Sequence, residues 1–163
     1  MSKQTLKAIA FFSLKVLGII AIFLVLLMLV VTVRICHSND MYPNLRDGDF
    51  VLLQRTHDVT FDDVILYEHE GEEYFGRIVA VPGETVVIND DQGLVVNDNI
   101  VYNSLAYPTG MPDNSEFSVT VGEGEVFVLG DFRDGAHDSR EFGCISKQDA
   151  IGRQLYLMRW RGF

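Results

Sequence analysis

Apolar positions run unbroken through the first part of the chain and become short and alternating after it. Val16 to Val33 is an uncharged stretch of 18 residues in which only Thr32 is polar. As a helix it would rise about 27 Å, close to the roughly 30 Å hydrocarbon thickness of a bilayer. Ala8 to Leu14 extends the apolar character, and Lys15 has a stem long enough to carry its ammonium toward the headgroups. A buried core helix seldom runs this far without a charge. A cleaved secretory signal would have a shorter apolar region, with a small-x-small site that does not follow Val33. The pattern predicts an uncleaved signal anchor over residues 8–33, preceded by residues 1–7 and followed by one domain over residues 34–163.

Beyond the anchor, β-branched and aromatic residues alternate in runs broken by Gly, Asn and Asp, which suits pleated surfaces better than helices. Strands are predicted at Phe50 to Leu53, Val64 to Tyr67, Tyr74 to Val81, Thr85 to Ile88, Leu94 to Val96, Phe117 to Val121, Glu125 to Leu129 and Leu155 to Trp160. Asn89 to Gly93 and Asn97-Asp98-Asn99 mark turns that fold the residues between them into a hairpin. Gly48-Asp49 and Pro82-Gly83 suit tight turns at strand ends. Ser104 to Ser115 has no clear period and reads as a surface loop or an extended ribbon. The expectation is a mainly β chain, one transmembrane helix followed by an antiparallel β domain around one hydrophobic centre.

Charge orients this arrangement. Lys3, Lys7 and Lys15 flank the start of the span with no acid among them, which predicts a cytoplasmic N-terminus. The other 10 basic residues and all 23 acidic ones fall in residues 34–163, a balance of 10 − 23 = −13. That balance argues against nucleic acid or an anionic lipid surface as the domain's partner. Cys36 and Cys144 are the only cysteines, and sequence leaves open whether they pair. No metal-ligand spacing, phosphate-binding loop or cofactor motif is present, so neither metal nor cofactor is expected.

Four segments carry the candidate chemistry. Asn39-Asp40-Met41-Tyr42-Pro43-Asn44-Leu45-Arg46-Asp47-Gly48-Asp49 resembles the Ser-Met-x-Pro-Thr-Leu-x-x-Gly-Asp box of type I signal peptidases. Phe61-Asp62-Asp63-Val64-Ile65 is a weaker likeness of that family's Arg-Gly-Asp-Ile-Val box. Gly76 to Glu84 resembles Lys-Arg-Val-Ile-Gly-x-Pro-Gly-Asp, and Gly130 to Gly143 resembles Gly-Asp-Asn-Arg-x-x-Ser-x-Asp-Ser-Arg-x-x-Gly. The boxes stand in family order behind a signal anchor.

The likeness fails where chemistry is expected. In the family a serine attacks the scissile carbonyl and a neutral lysine takes its proton, because serine alone is a poor nucleophile. Here the serine position is Asp40 and the lysine position is Gly76. Phe132 stands for the asparagine of the last box, and Ala136 for the serine that helps orient the lysine. The resemblance implies a binding cleft lined by Ser38, Asp40, Met41, Pro43, Gly76 and Arg77. It also implies a structural role for Asp131, Arg133, Asp138 and Arg140, the acids pairing with the arginines of their own box.

Two other chemistries are conceivable with these residues. A carboxylate pair of Asp40 with Asp131 or Asp138 would activate water as in aspartic proteases. A serine–histidine arrangement would draw on His37, His57, His69 or His137, none of which occupies the lysine position.

Six residues, Arg34 to Asn39, separate Val33 from Asp40, and seven extended steps span at most about 25 Å. The old catalytic face is therefore tethered near the outer membrane surface, where an extended exported polypeptide passes. The departures are similar to those of the non-catalytic, SipA-type signal-peptidase-like proteins of Gram-positive pilus gene clusters. That resemblance implies an assembly factor or chaperone for sortase-dependent pili, with pilin subunits or a class C sortase as partners. The alternatives are an active membrane signal peptidase with non-standard residues, and a regulator that binds signal peptides in competition with an active one.

Overall fold

In the computed structural model, residues 3–89, 93–101, 109–111 and 116–159 are described. The chain divides into two units, Met1–Thr32 and Val33–Phe163. The first is helix α1 (Lys3–Val30). Its stretch Phe11–Val30 is 20 residues long with a mean hydropathy of 2.8. Large apolar side chains are exposed all around it, among them Phe12, Leu17, Phe23 and Met28. A helix apolar on every side suits lipid rather than water, and its length suits a single membrane span.

The helix stops three residues before the predicted Val33. Val31–Ile35 is strand β1 at the edge of a sheet, beside β2 (Phe50–Gln54). Val30, Val31, Thr32 and Val33 form a β-branched run, which favours extended backbone once a neighbouring strand can take its hydrogen bonds.

The second unit holds two sheets. Seven strands follow the order β1-β2-β11-β3-β4-β9-β10, with β3 (Val64–His69), β4 (Glu72–Ala80), β9 (Glu125–Leu129), β10 (Ile145–Ser146) and β11 (Ala150–Met158). Four shorter strands follow the order β7-β6-β5-β8, namely β5 (Thr85–Asn89), β6 (Gly93–Val96), β7 (Asn99–Ile100) and β8 (Phe117–Thr120). Every pairing with a described register is antiparallel, so the mainly β antiparallel expectation holds.

Turn chemistry places several of these strands. Gly48, Gly83 and Gly93 have positive φ, which glycine adopts without a Cβ penalty. Asn97 and Asp98, also at positive φ, turn β6 into β7. Most of the Ser104 to Ser115 stretch, residues 90–92 of the predicted Asn89 to Gly93 turn, and Trp160 lie outside the described residues.

Two sequence expectations need correction. The last strand starts at Ala150 rather than Leu155, because its register shifts on both partners and hides the alternation. A Cβ at Gly152 would crowd the Gln54 carbonyl, so this interior glycine marks close backbone approach rather than a break. The single hydrophobic centre is three clusters instead, since the central strands bury both faces. On β3, Val64 and Leu66 pack with Met41, Leu45 and Phe75, while Ile65 and Tyr67 pack with Ile78, Val126 and Val128. The third cluster joins Val79 and Leu129 to Val86, Ile88 and Leu94 of the smaller sheet.

Cys36 and Cys144 are both free. The first is buried in the Met41 cluster and the second packs against the Leu129 cluster. Burial raises both thiols above their usual pKa.

Candidate functional site

The turn after β1 is fixed by backbone hydrogen bonds. Cys36 N–H donates to the Asp49 carbonyl at 2.9 Å, and Gly48 N–H donates to the Cys36 carbonyl at 2.8 Å. Asp49 is fully buried, accepts from Arg46 N–H at 2.9 Å, and is held by the Arg159 guanidinium at 2.8 Å. This pins the segment that presents Asp40.

The loop after β9 closes on the same segment. Phe132 N–H donates to the Asp40 carbonyl at 2.8 Å. A Cβ at Gly130 would overlap the Ala136 Cβ and stand 2.7 Å from the Asp40 carbonyl oxygen. Glycine is needed here for the two loops to touch. Asp40, Phe132 and Ala136 are thus brought together as the motif resemblance implies, with Ala136 buried.

Gly76 lies on β4 in register with Ile65, so a side chain there would enter the cluster of Ile65, Tyr67 and Val128. A Cβ at Gly76 would overlap the Val128 Cγ1 and stand 3.3 Å from the Tyr67 Cε1. The room a lysine stem would need is filled. Tyr67 is fully buried, and among the described residues its hydroxyl has no hydrogen-bond partner. Burial, then the charges of Asp138 and Asp40, push that phenol far above its ordinary pKa. The hydroxyl is therefore neutral.

Asp40 itself is half-buried. Desolvation raises its carboxyl above the ordinary aspartate value, opposed by the Ser38 hydroxyl and by the charge of His137. The Ser38 Oγ also accepts from Asp40 N–H at 3.5 Å. His137 pairs with Glu141 at 3.0 Å, which raises the imidazole pKa.

Other expected cleft residues fall differently. Met41 is fully buried in its cluster and lines no open surface, because its side chain anchors the turn from beneath. Pro43 is exposed. Arg77 is a structural tie. Its Nε and Nη2 donate to the two Asp131 carboxylate oxygens at 2.9 Å each, and its Nη1 donates to Asp62 at 3.0 Å. The hydrogen bonds to Asp131 are the largest cause of its raised pKa.

Asp131 and Asp138 are both held by arginines, but only one of them pairs within its own box. Asp138 accepts from Arg140 Nε and Nη2, at 2.9 Å each, and from Gly130 N–H at 2.9 Å. Asp131 pairs across boxes with Arg77. Arg133 is buried and donates to the Thr109 hydroxyl at 2.8 Å. Burial lowers its pKa to about 10.

These contacts bear on the rival chemistries. Two carboxylates share a proton only when neither is held by a cation. Asp131 and Asp138 are each gripped by an arginine. Among the described residues no hydrogen bond joins a histidine to Ser38: His57 meets the Lys147 carbonyl and His69 stacks on Phe142. A separate concavity of 650 Å³, bordered by Arg55, His57, Glu68 and Gln148, contains none of the Asp40 group.

The sequence profile described as signal peptidase, peptidase S26, matches residues 9–160. This chain belongs to that family. The match runs from the helix through every box, so the S26 fold and the four segments are one observation rather than four coincidences. A Staphylococcus aureus (strain Mu50) protein named inactive signal peptidase IA is 34% identical over 147 residues, 82% of this chain and 83% of the relative. A Synechocystis sp. protein named probable signal peptidase I-1 is 27% identical, covering 76% of this chain and 68% of its own length. The crystal structure of a signal peptidase I from Enterococcus faecalis V583 superposes with a TM-score of 0.50 at 29% identity. It covers 59% of this chain and 96% of that one.

Sequence reading missed Tyr67, and it missed the Asp49–Arg159 and Arg77–Asp131 ties. Tyr67 ends a predicted strand, and nothing in the sequence sets it apart from its neighbours. The two ion pairs join positions 110 and 54 residues apart, a separation no local pattern encodes.

Proposed function

We propose that this S26 member is a non-catalytic signal peptidase homologue that holds an exported polypeptide at the membrane and assists sortase-dependent pilus polymerisation. The observation that carries the first half is the closed lysine position: Gly76 backs onto Val128 and Tyr67, while Asp40 stands at the serine position of its own box. A lone carboxylate is a weak nucleophile toward an amide, since the anhydride it would form lies higher in energy than the amide it breaks, whereas the surrounding loops are still held in place by Asp49, Asp131 and Asp138. The name of the staphylococcal relative supports an inactive centre.

In this reading the apolar helix is a single span with its N-terminus in the cytoplasm and residues 34–163 outside the cell. The partner is a pilin subunit or a class C sortase. The pilus role rests on the likeness of the altered boxes to the proteins of pilus gene clusters. Deleting the gene in a piliated host, then restoring it as wild type or with Asp40→Ala, tests this assignment. Loss of high-molecular-weight pilus polymer on deletion supports the role. Normal polymerisation in the deletion strain ends it. Photocrosslinking from position 40 in the membrane-inserted protein then separates pilin or sortase from signal peptides, whose capture would favour a competitor of active peptidases.

A further inference from the structure

One face of the seven-stranded sheet is apolar on its outer side near the β1 edge. Phe50 and Met158 are cross-strand partners on β2 and β11, and so are Leu52 and Tyr156. Residues directly opposite each other share a face of a sheet. Their alternates Val51, Leu53 and Leu157 pack into the cluster of Met41 and Leu45, and Phe50, Tyr156 and Met158 are left exposed on the other side. The edge strand β1 continues this surface. Cys36, just after it, packs with Val51 and Leu53, so by alternation Ile35 and Val33 lie on the outer side, and both are exposed. Val33, Ile35, Phe50, Leu52, Tyr156 and Met158 thus form one apolar patch across adjacent strands, where isolated exposed side chains would need no explanation.

The chain itself says what covers this patch. Helix α1 ends at Val30, so Val33 and Ile35 stand three and five residues beyond it. Three to five extended steps span at most about 11–18 Å, and the headgroup layer outside the hydrocarbon is about 5–7 Å deep. A chain that crosses the bilayer through α1 therefore holds the β1 side of the patch among the headgroups or within about 10 Å of them. Strand β11 follows at two strand spacings, about 10 Å away.

We propose that this face docks on the outer surface of the bilayer, with Phe50, Tyr156 and Met158 entering the boundary between headgroups and acyl chains. The inference rests on the reading of α1 as a membrane span. Tyr156 suits that layer, with an apolar ring and a hydroxyl that stays among the headgroups. The −13 balance of residues 34–163 gives anionic lipid no electrostatic pull on the domain, so attachment comes from apolar burial. It proceeds on zwitterionic phosphatidylcholine and does not weaken with salt. Docking by a face, rather than swinging on a tether, holds the Asp40 segment that follows β1 at one height above the membrane.

The test places the photoreactive residue p-benzoylphenylalanine, one position at a time, at Tyr156, Ile100 or Phe23 of the full chain in phosphatidylcholine nanodiscs. Lipid adducts are measured by mass spectrometry after irradiation. Phe23 lies in α1 and reports the span, while Ile100 lies in β7 of the smaller sheet and outside the patch. Position 156 is expected to give several-fold more lipid adduct than position 100, at low and at high salt, and position 23 likewise. Adduct at position 23 with no excess at 156 over 100 would overturn the docking and leave the span standing. No adduct at position 23 would overturn the span and the docking with it. Crosslinks between two copies of the chain at position 156, in place of lipid, would make a second copy the occupant and overturn the proposal. A yield at 156 that collapses at high salt would overturn attachment by apolar burial.

Discussion

Arg77 and Asp131 face each other through two parallel hydrogen bonds, Nε to Oδ1 and Nη2 to Oδ2, each 2.9 Å long. Asp131 is fully buried and Arg77 is mostly so. In sequence the arginine adjoins Gly76 and the aspartate is the second residue of the Gly130 to Gly143 box, so this pair locks two of the motif segments together. Removing one partner of a buried pair leaves an uncompensated charge, which costs about 3–5 kcal/mol. Arg77→Met should destabilise the chain by about that amount in denaturant unfolding of the detergent-solubilised protein. Adding Asp131→Asn to it should recover much of the loss. A single mutant as stable as wild type would contradict this.

Gly130 makes the contact between the same loop and Asp40 possible. An alanine there would push into the Ala136 methyl and the Asp40 carbonyl, whose atoms are backbone and a short side chain that cannot swing aside. Overpacking of this kind costs about 1–3 kcal/mol. Gly130→Ala should therefore lower stability and break the Phe132 N–H to Asp40 hydrogen bond. Faster amide exchange at Phe132 would report it, and unchanged exchange would refute it.

Restoring the dyad residues should not restore the enzyme. In Asp40→Ser/Gly76→Lys the new stem meets Val128 and Tyr67, and Ala136 offers no hydroxyl to orient the amine. Small misplacements of reacting groups are expensive in rate. The double variant is expected to lose thermal stability and to show no preprotein cleavage in a gel assay. Widening the slot further with Val128→Ala should recover part of the stability but still not the turnover.

Asp40 gives a pH signature with a defined sign. Its folded pKa lies above the unfolded value near 3.8 because burial disfavours the charged form. The charged carboxylate therefore works against folding above the folded pKa, and the penalty is relieved as pH falls through it. Asp40→Asn removes the charge, so it should stabilise modestly at neutral pH and give no gain below the unfolded value. Thermal melts of the two proteins across that range check this; a gain that grows toward acid would have the wrong sign.

Much of this was legible in the sequence because it is local. The apolar run needs only its length, and Gly48, Gly83 and the Asn97-Asp98 turn announce themselves by residue type. The replacement of serine and lysine by Asp40 and Gly76 is likewise visible in the boxes. What stayed hidden depends on distance along the chain. Arg77 read as a cleft residue because nothing nearby shows that Asp131, 54 residues later, takes its guanidinium. Met41 read as a cleft residue because motif position says nothing about which way a turn faces. The start of β11 at Ala150 was masked by Gly152, a residue that usually ends a strand and here permits one to lie against Gln54.

The central claim is that this site holds a polypeptide and cannot cut it. Incubating the purified full chain, in detergent and lipid and free of other proteases, with a radiolabelled preprotein measures this directly. The account predicts no mature product beyond that of an Asp40→Ala control over many hours. Accumulation of correctly processed product that disappears in the Asp40→Ala variant would contradict it.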